Sequence, residues 1–138
     1  MAKFWRDSVR VAYAAAHLAA HTGVGDRQDA YTFALFRDIG VAVLLRRHGD
    51  YEGFFGEAVA TPDMTLPELE GERYGTTHCE IGAALAQSWL LPDALCEGIA
   101  VHHQYHAWQR RLAEAPSAAH VLPALAFVAE RLCADATH

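Results

Sequence analysis

Phe33-Ala34-Leu35-Phe36-Arg37-Asp38-Ile39-Gly40 is the stretch from which the rest of the chain is read. Asp26 or Asp29 caps a helix that runs through Phe33, Leu35 and Phe36, since a short carboxylate suits the free backbone N–H groups of a helix start. Gly40 marks a kink before the apolar run Val41 to Leu45, which stops at His48-Gly49-Asp50. At the centre two opposite charges, Arg37 and Asp38, sit between apolar Phe36 and Ile39. Arg37 either turns inward to an ion pair or points to solvent at the helix end, where a cation is also favourable. Its apolar neighbours favour the inward placement.

Outward from this stretch the pattern stays helical. Trp5, Val9, Ala12, Tyr13, Ala16 and Ala20 recur at three- and four-residue steps and predict a helix from Phe4 to about His21, stopped by Thr22-Gly23. Tyr51 to Val59 reads as a short helix, Thr61-Pro62-Asp63 as a turn, and a further short helix follows Thr65 and closes at Gly75. Thr77 with Glu80 three residues on has the form of a capping box and puts His78 in a first helical turn. Pro92 restarts the chain into a helix carrying Leu95, Ile99 and His102 or His103. A loop around Ala115-Pro116-Ser117 leads to a last helix in which Pro123 fits only near the start. No stretch alternates apolar and polar residues, so the expected class is all-α, a bundle of about six to seven helices forming one domain over residues 1–138.

Composition narrows the function. With 17 acidic against 11 basic residues the net charge is -6, which repels phosphate backbones and anionic lipid. Neither nucleic acid nor a membrane is an expected partner. Cys79, Cys96 and Cys133 are odd in number and widely spaced, and read as reduced core thiols. The apolar runs fall short of the roughly 20 residues of a membrane helix, and the N-terminus lacks the form of a signal peptide, so a cytoplasmic location is expected.

Nine histidines are the notable reserve of chemistry. His78, His102 and His103, with Asp38, are ligand types for several divalent metals, although spacing alone does not make them converge. On residue physics they read first as scattered capping or surface groups. Successive helical residues point about 100° apart, so His102 and His103 are not expected to face one site together. His17 with His21 and His102 with His106 have i, i+4 spacing, but surface roles account for them. No Walker loop, dinucleotide glycine pattern or nucleophile elbow is present.

Phe33 to Gly40 resembles the segment ending in His-Asp-Ile-Gly in the HD superfamily of metal phosphohydrolases. Gly75-Thr-Thr-His78-Cys-Glu80-Ile-Gly82-Ala, Trp89-Leu-Leu-Pro92 and Ile99-Ala-Val-His102-His103 resemble, in order and spacing, the HDOD branch, the HD-related output domains of bacterial signalling proteins. The resemblance runs from about Trp5 to Leu132 and covers the C-terminal, HD-like part of that family, whose full-length members carry a further N-terminal helical portion.

The resemblance implies a site made from Asp7, Arg37, Asp38, His78, His102, His103 and Glu130. In the catalytic pattern a helix-one histidine, the His-Asp pair and a late aspartate bind metal. Asp7 stands at the first of these positions, Arg37-Asp38 at the pair and Glu130 at the last. Aspartate and glutamate still ligate hard cations. Arg37 has no lone pair to give and its permanent charge repels a divalent ion. The expectation is therefore a noncatalytic regulatory module without a cofactor, its Arg37 charge balanced by Asp38, Asp7 or Glu130. It would work through a signalling-protein partner, a small anionic effector or an oligomer. The alternative is a divergent metal-dependent phosphohydrolase acting on a phosphoester or nucleotide, holding manganese, iron, zinc or magnesium on Asp7, Asp38, His78 and one of His102 or His103. Glu80 reads as a helix-start carboxylate and Gly82 as a close-packing position.

Overall fold

Small residues decide how closely the helices of this protein approach. In the computed structural model, which describes residues 2–60, 64–114 and 116–136, helix α1 (Ala2–Thr22) buries Val11, Ala12, Ala15 and Ala19 along one face. This face lies against α2 (Arg27–Phe36) and α9 (Ala118–Ala136). Asp26 caps α2, its carboxylate accepting the Asp29 backbone N–H at 2.9 Å, which settles the choice between Asp26 and Asp29. Phe33 is wholly buried where α1, α2, α7 (Asp93–Val101) and α9 share one apolar core with α6 (His78–Ser88). Burial of such a ring contributes about 1.5–3 kcal/mol.

A second core collects Val41 and Leu44 of α3 (Ile39–Arg47) with Tyr51, Phe54 and Ala58 of α4 (Tyr51–Val59), backed by Leu66 and Leu69 of α5 (Leu66–Tyr74). Thr65 and Glu68 form a reciprocal capping box at the start of α5, and Gly75 ends it in the left-handed conformation with φ 75°. Helix α8 (Tyr105–Glu114) packs on α9 through Trp108, which is buried. The described residues contain nine α-helices, more than the six to seven expected, because the long apolar segments are broken by tight turns. No single helix among them is long and apolar enough to cross a membrane. Thr61-Pro62-Asp63 and Ala115 lie outside the described residues.

Three local expectations are corrected. The chain breaks at Arg37-Asp38, where Asp38 adopts φ -106° and ψ 18°, and Gly40 lies inside α3 instead of forming a kink. Thr77 accepts the Glu80 backbone N–H, but Glu80 receives the Thr76 hydroxyl, so only half of a capping box forms there. Pro123 falls inside α9, beyond its first turn. The Ala119 carbonyl, which a regular helix would pair with residue 123, instead lies 3.3 Å from where a Cβ on Gly98 would stand.

Gly40 shows why α3 and α6 meet as they do. A Cβ on Gly40 would stand 2.0 Å from the His78 carbonyl oxygen, so the two helix starts touch backbone to backbone. Gly82 supports the same contact, its would-be Cβ standing 3.5 Å from Ile39 Cγ2 and 3.6 Å from the Gly40 nitrogen. In contrast, a Cβ on Gly53 in α4 meets nothing within 4 Å. Gly40→Ala is therefore expected to destabilise the protein by about 3 kcal/mol, the upper end of overpacking costs. Gly53→Ala should stabilise it by about 0.5–1 kcal/mol through its lower unfolded-state entropy. Urea unfolding of both variants checks this, and equal midpoints would contradict the backbone-contact account.

Candidate functional site

The α2–α3 break, the start of α6 and the end of α7 meet at one carboxylate. Asp38 stands at the N-cap of α3 without making a capping hydrogen bond. Its Oδ1 instead faces two imidazole nitrogens, His102 Nε2 at 3.1 Å and His78 Nε2 at 3.3 Å. Its Oδ2 lies 3.4 Å from Arg37 Nε. Arg37 is turned inward, 8 % exposed, donates to the Ala126 carbonyl at 3.3 Å and reaches Glu130 at 3.6 Å. The inward ion pair expected from Phe36 and Ile39 is thus present, with Asp38 and Glu130 as counter-charges.

Glu70 is a site residue that the sequence did not disclose. It is 0 % exposed on α5, and its Oε1 accepts both the His78 backbone N–H at 2.9 Å and the His78 Nδ1 proton at 2.7 Å. The Tyr51 hydroxyl donates to Glu70 Oε2 at 2.5 Å. A free N–H at a helix start and the positive end of the helix dipole both favour a carboxylate there. Nothing in the spacing between Tyr51, Glu70 and His78 signals this, since three helices must pack to create it. On the other flank, His102 Nδ1 donates to the Ile99 carbonyl at 2.6 Å. Each histidine therefore has its Nδ1 fixed by one partner and its Nε2 turned to Asp38.

His103 joins the cluster, contrary to the 100° argument. Helix α7 ends at Val101, and His102, its C-cap, and His103 lie in the following turn. The His103 ring centroid is 4.8 Å from that of His78 and 4.4 Å from that of His102. Cys79, read from sequence as a core thiol, places its Sγ 3.8 Å from both His78 Nε2 and His102 Nδ1. Asp7 lies outside this arrangement. It is exposed and pairs with Lys3 at 2.8 Å, one turn away on α1, so it neither balances Arg37 nor reaches Asp38. His17 and His21 stack on exposed α1 surface, and the side chain of His106 lies outside the described residues.

Electrostatics follow from this geometry. Burial opposes ionisation of Asp38, but hydrogen bonds from His102 and His78 and the charge of Arg37 hold its carboxyl well below the usual range. Burial likewise opposes a charged His78, yet its bonds with Asp38, Cys79 and Glu70 push it up to about 12. The same balance pushes His102 up to about 9. Burial and the charges of His102 and His78 push His103 down to about 3. Burial raises the Cys79 thiol, but the two imidazoles outweigh it and bring it to about 7.

The pattern of catalytic ligands does not fit a metal here. Of its four positions, Asp7 is elsewhere, Arg37 is a cation, and Asp38 and Glu130 are engaged by that cation. The recess beside these residues, lined by Arg37, Asp38, His102, His103, Phe127 and Glu130, has a volume of about 50 Å³.

Two stability predictions follow. Asp38→Asn leaves a buried guanidinium facing one exposed carboxylate and is expected to cost about 3 kcal/mol, the lower end for a broken buried pair because Asp38 keeps 29 % side-chain exposure. In the metal-free protein, the Asp38 contribution is present above pH 3.8 and is lost as the pH falls through its depressed folded value. The His102 contribution is full below pH 6.5 and is lost as the pH rises through about 9. Denaturant midpoints measured against pH should peak between these limits in the native chain and flatten in Asp38→Asn. A flat native profile would speak against the network.

Comparison with known proteins agrees with this architecture. The HDOD domain family matches residues 1–105. An uncharacterized protein of Treponema pallidum (strain Nichols) is 31% identical over 104 residues, which are 73% of this chain and 20% of that protein. A crystal structure of a putative phosphohydrolase from Shewanella amazonensis SB2B superposes with a TM-score of 0.76 at 25% identity, over 97% of this chain and 46% of that one. A Geobacter sulfurreducens HDOD domain protein with unknown function shares the fold, with a TM-score of 0.60 at 24% identity over 94% of this chain and 41% of its own. The chain thus spans a fifth of the Treponema protein and less than half of either solved chain. An all-α bundle, the Arg37-Asp38 break and the His78 and His102-His103 segments lie within the match, and the chain belongs to the HDOD domain family.

Proposed function

We propose that this chain is a noncatalytic regulatory module that acts through contacts with a signalling protein. The observation that carries this reading is the buried Arg37 guanidinium set between Asp38 and Glu130, where the catalytic pattern needs a neutral metal-ligating imidazole. The size of the recess supports it. Water occupies about 30 Å³ in the liquid. A recess of about 50 Å³ has room for one or two waters and is too small to enclose a nucleotide.

Exposed apolar groups support protein contact. Trp89 and Leu90 form the turn between α6 and α7, and Leu90 is 90 % exposed in the left-handed region at φ 60°. A small anionic effector has too little room beside Arg37 and better room in the groove of about 500 Å³ between α1 and α2, where Arg27 supplies a cation. The three unpaired thiols Cys79, Cys96 and Cys133 support a reducing, cytoplasmic setting.

The rival is a divergent phosphohydrolase, favoured by the relatedness to the Shewanella protein of that name. A panel of cyclic dinucleotides and simple phosphoesters, each with manganese, iron, zinc and magnesium, separates the two. No turnover above background is expected, whereas turnover abolished by Asp38→Asn would overturn the regulatory reading. Arg37→His should restore a neutral ligand beside Asp38 and create or strengthen manganese binding. Calorimetry showing no gain would contradict the substitution of a metal charge by an arginine charge.

A further inference from the structure

Helix α6 ends in a turn that glycine usually makes. Leu90 lies in the left-handed region at φ 60°, the one residue other than glycine to do so among the described residues. Its N–H donates to the Gln87 carbonyl at 3.0 Å, and the Leu91 N–H donates to the Ala86 carbonyl at 3.1 Å. This pair of bonds closes a helix most readily with glycine in the place of Leu90, because a Cβ is strained there. Leu91 turns inward onto the first apolar core, whereas Leu90 is 90 % exposed and buries almost nothing within the chain. Trp89, half exposed beside it, packs edge to face on Phe36 with ring centroids 5.8 Å apart. The two side chains thus project from a hydrogen-bonded base.

The groove of about 500 Å³ lies close to this projection, lined among others by Tyr13 and His17 of α1 and by Arg27, Tyr31 and Thr32 of α2. Tyr13 is exposed and meets Tyr31 edge to face at 5.3 Å. Thr32 and Phe36 stand in one i, i+4 row of α2, about 6 Å apart along its axis, so groove and projection share a face. Their charges are complementary. Asp93 and Glu97 are exposed on α7, and no Lys or Arg occurs between Tyr74 and Gln109. Arg27 forms no ion pair among the described residues, and no carboxylate lines the groove.

We propose that this face is an interface between two copies of the chain, with Trp89 and Leu90 of each seated in the α1–α2 groove of the other. The groove falls within the roughly 300–1,000 Å³ that encloses a small ligand, enough for a leucine and an indole side chain. A patch that carries both a projection and its receptacle is self-complementary, as a two-fold contact requires. Asp93 and Glu97 of one copy then approach Arg27 of the other. With a net charge of -6 two copies repel at a distance, so the contact depends on these local matches. The proposal goes beyond the regulatory reading and does not rest on it. Self-association is read by sedimentation and phosphoester turnover by assay, so either can fail alone.

The test is sedimentation of the full chain from micromolar to near-millimolar concentration. The native chain should pass from monomer to dimer and grow no further, since a reciprocal contact closes on itself. Leu90→Gly suits the left-handed turn and removes only the projecting side chain. It should keep the native helix content by circular dichroism and raise the dimer dissociation constant about 10-fold or more. Arg27→Glu, favourable at a helix start, should likewise keep the fold and weaken the dimer by facing the acids of α7. A native chain that stays monomeric would overturn the proposal and leave this face to an unrelated partner. Growth beyond a dimer, or a dimer indifferent to Leu90→Gly or to Arg27→Glu, would overturn it as well.

Discussion

One carboxylate governs the centre of this protein. Asp38 is shared among His78, His102 and Arg37, and each of these is held from its far side by a further group: Glu70, the Ile99 carbonyl, and Glu130 with the Ala126 carbonyl. The α2–α3 break and helices α5, α6, α7 and α9 thereby meet through polar contacts in an interior where an unpaired charge is costly. His78, Glu70 and Arg37 are buried, so removal of Asp38 leaves buried groups short of a partner. The apolar cores to either side supply most of the burial, and the network adds polar contacts among α5, α6, α7 and the start of α3.

The fold was largely legible because helices announce themselves locally. The alanine and aromatic period of α1, the Tyr51–Val59 segment and the αL glycine at Gly75 all stand in the sequence as they stand in space. Where reading failed, tertiary contact had overridden a local rule. Gly40 looked like a helix breaker, yet it is demanded by the His78 carbonyl pressed against it. Pro123 looked confined to a helix start, yet it sits inside α9, where the Ala119 carbonyl lies close to Gly98.

The candidate site was legible in part. Arg37, Asp38, His78, His102 and Glu130 come together, because their spacing in the chain follows a known order of segments. Asp7 was misassigned, since its place on the first helix says nothing of the face it occupies, and Lys3 holds it at the surface. His102 and His103 were not expected to face one site together, yet both rings lie against His78. Glu70 and Cys79 carry no signal of their own. A glutamate in a short helix and a cysteine beside a histidine are ordinary in sequence, and only the packing of α5 and α7 onto the start of α6 gives them their neighbours.

The bare contact between Gly40 and the His78 carbonyl has a consequence for how such a site changes over time. With no side chain between the two helix starts, the spacing of Asp38 and His78 is fixed by main chain alone and does not depend on which functional groups surround it. The architecture and the chemistry are thereby separable. A substitution at position 37 can then change the charge beside Asp38 while the frame that measures the distance stays unaltered. Such a frame lets the charges around it be exchanged one residue at a time.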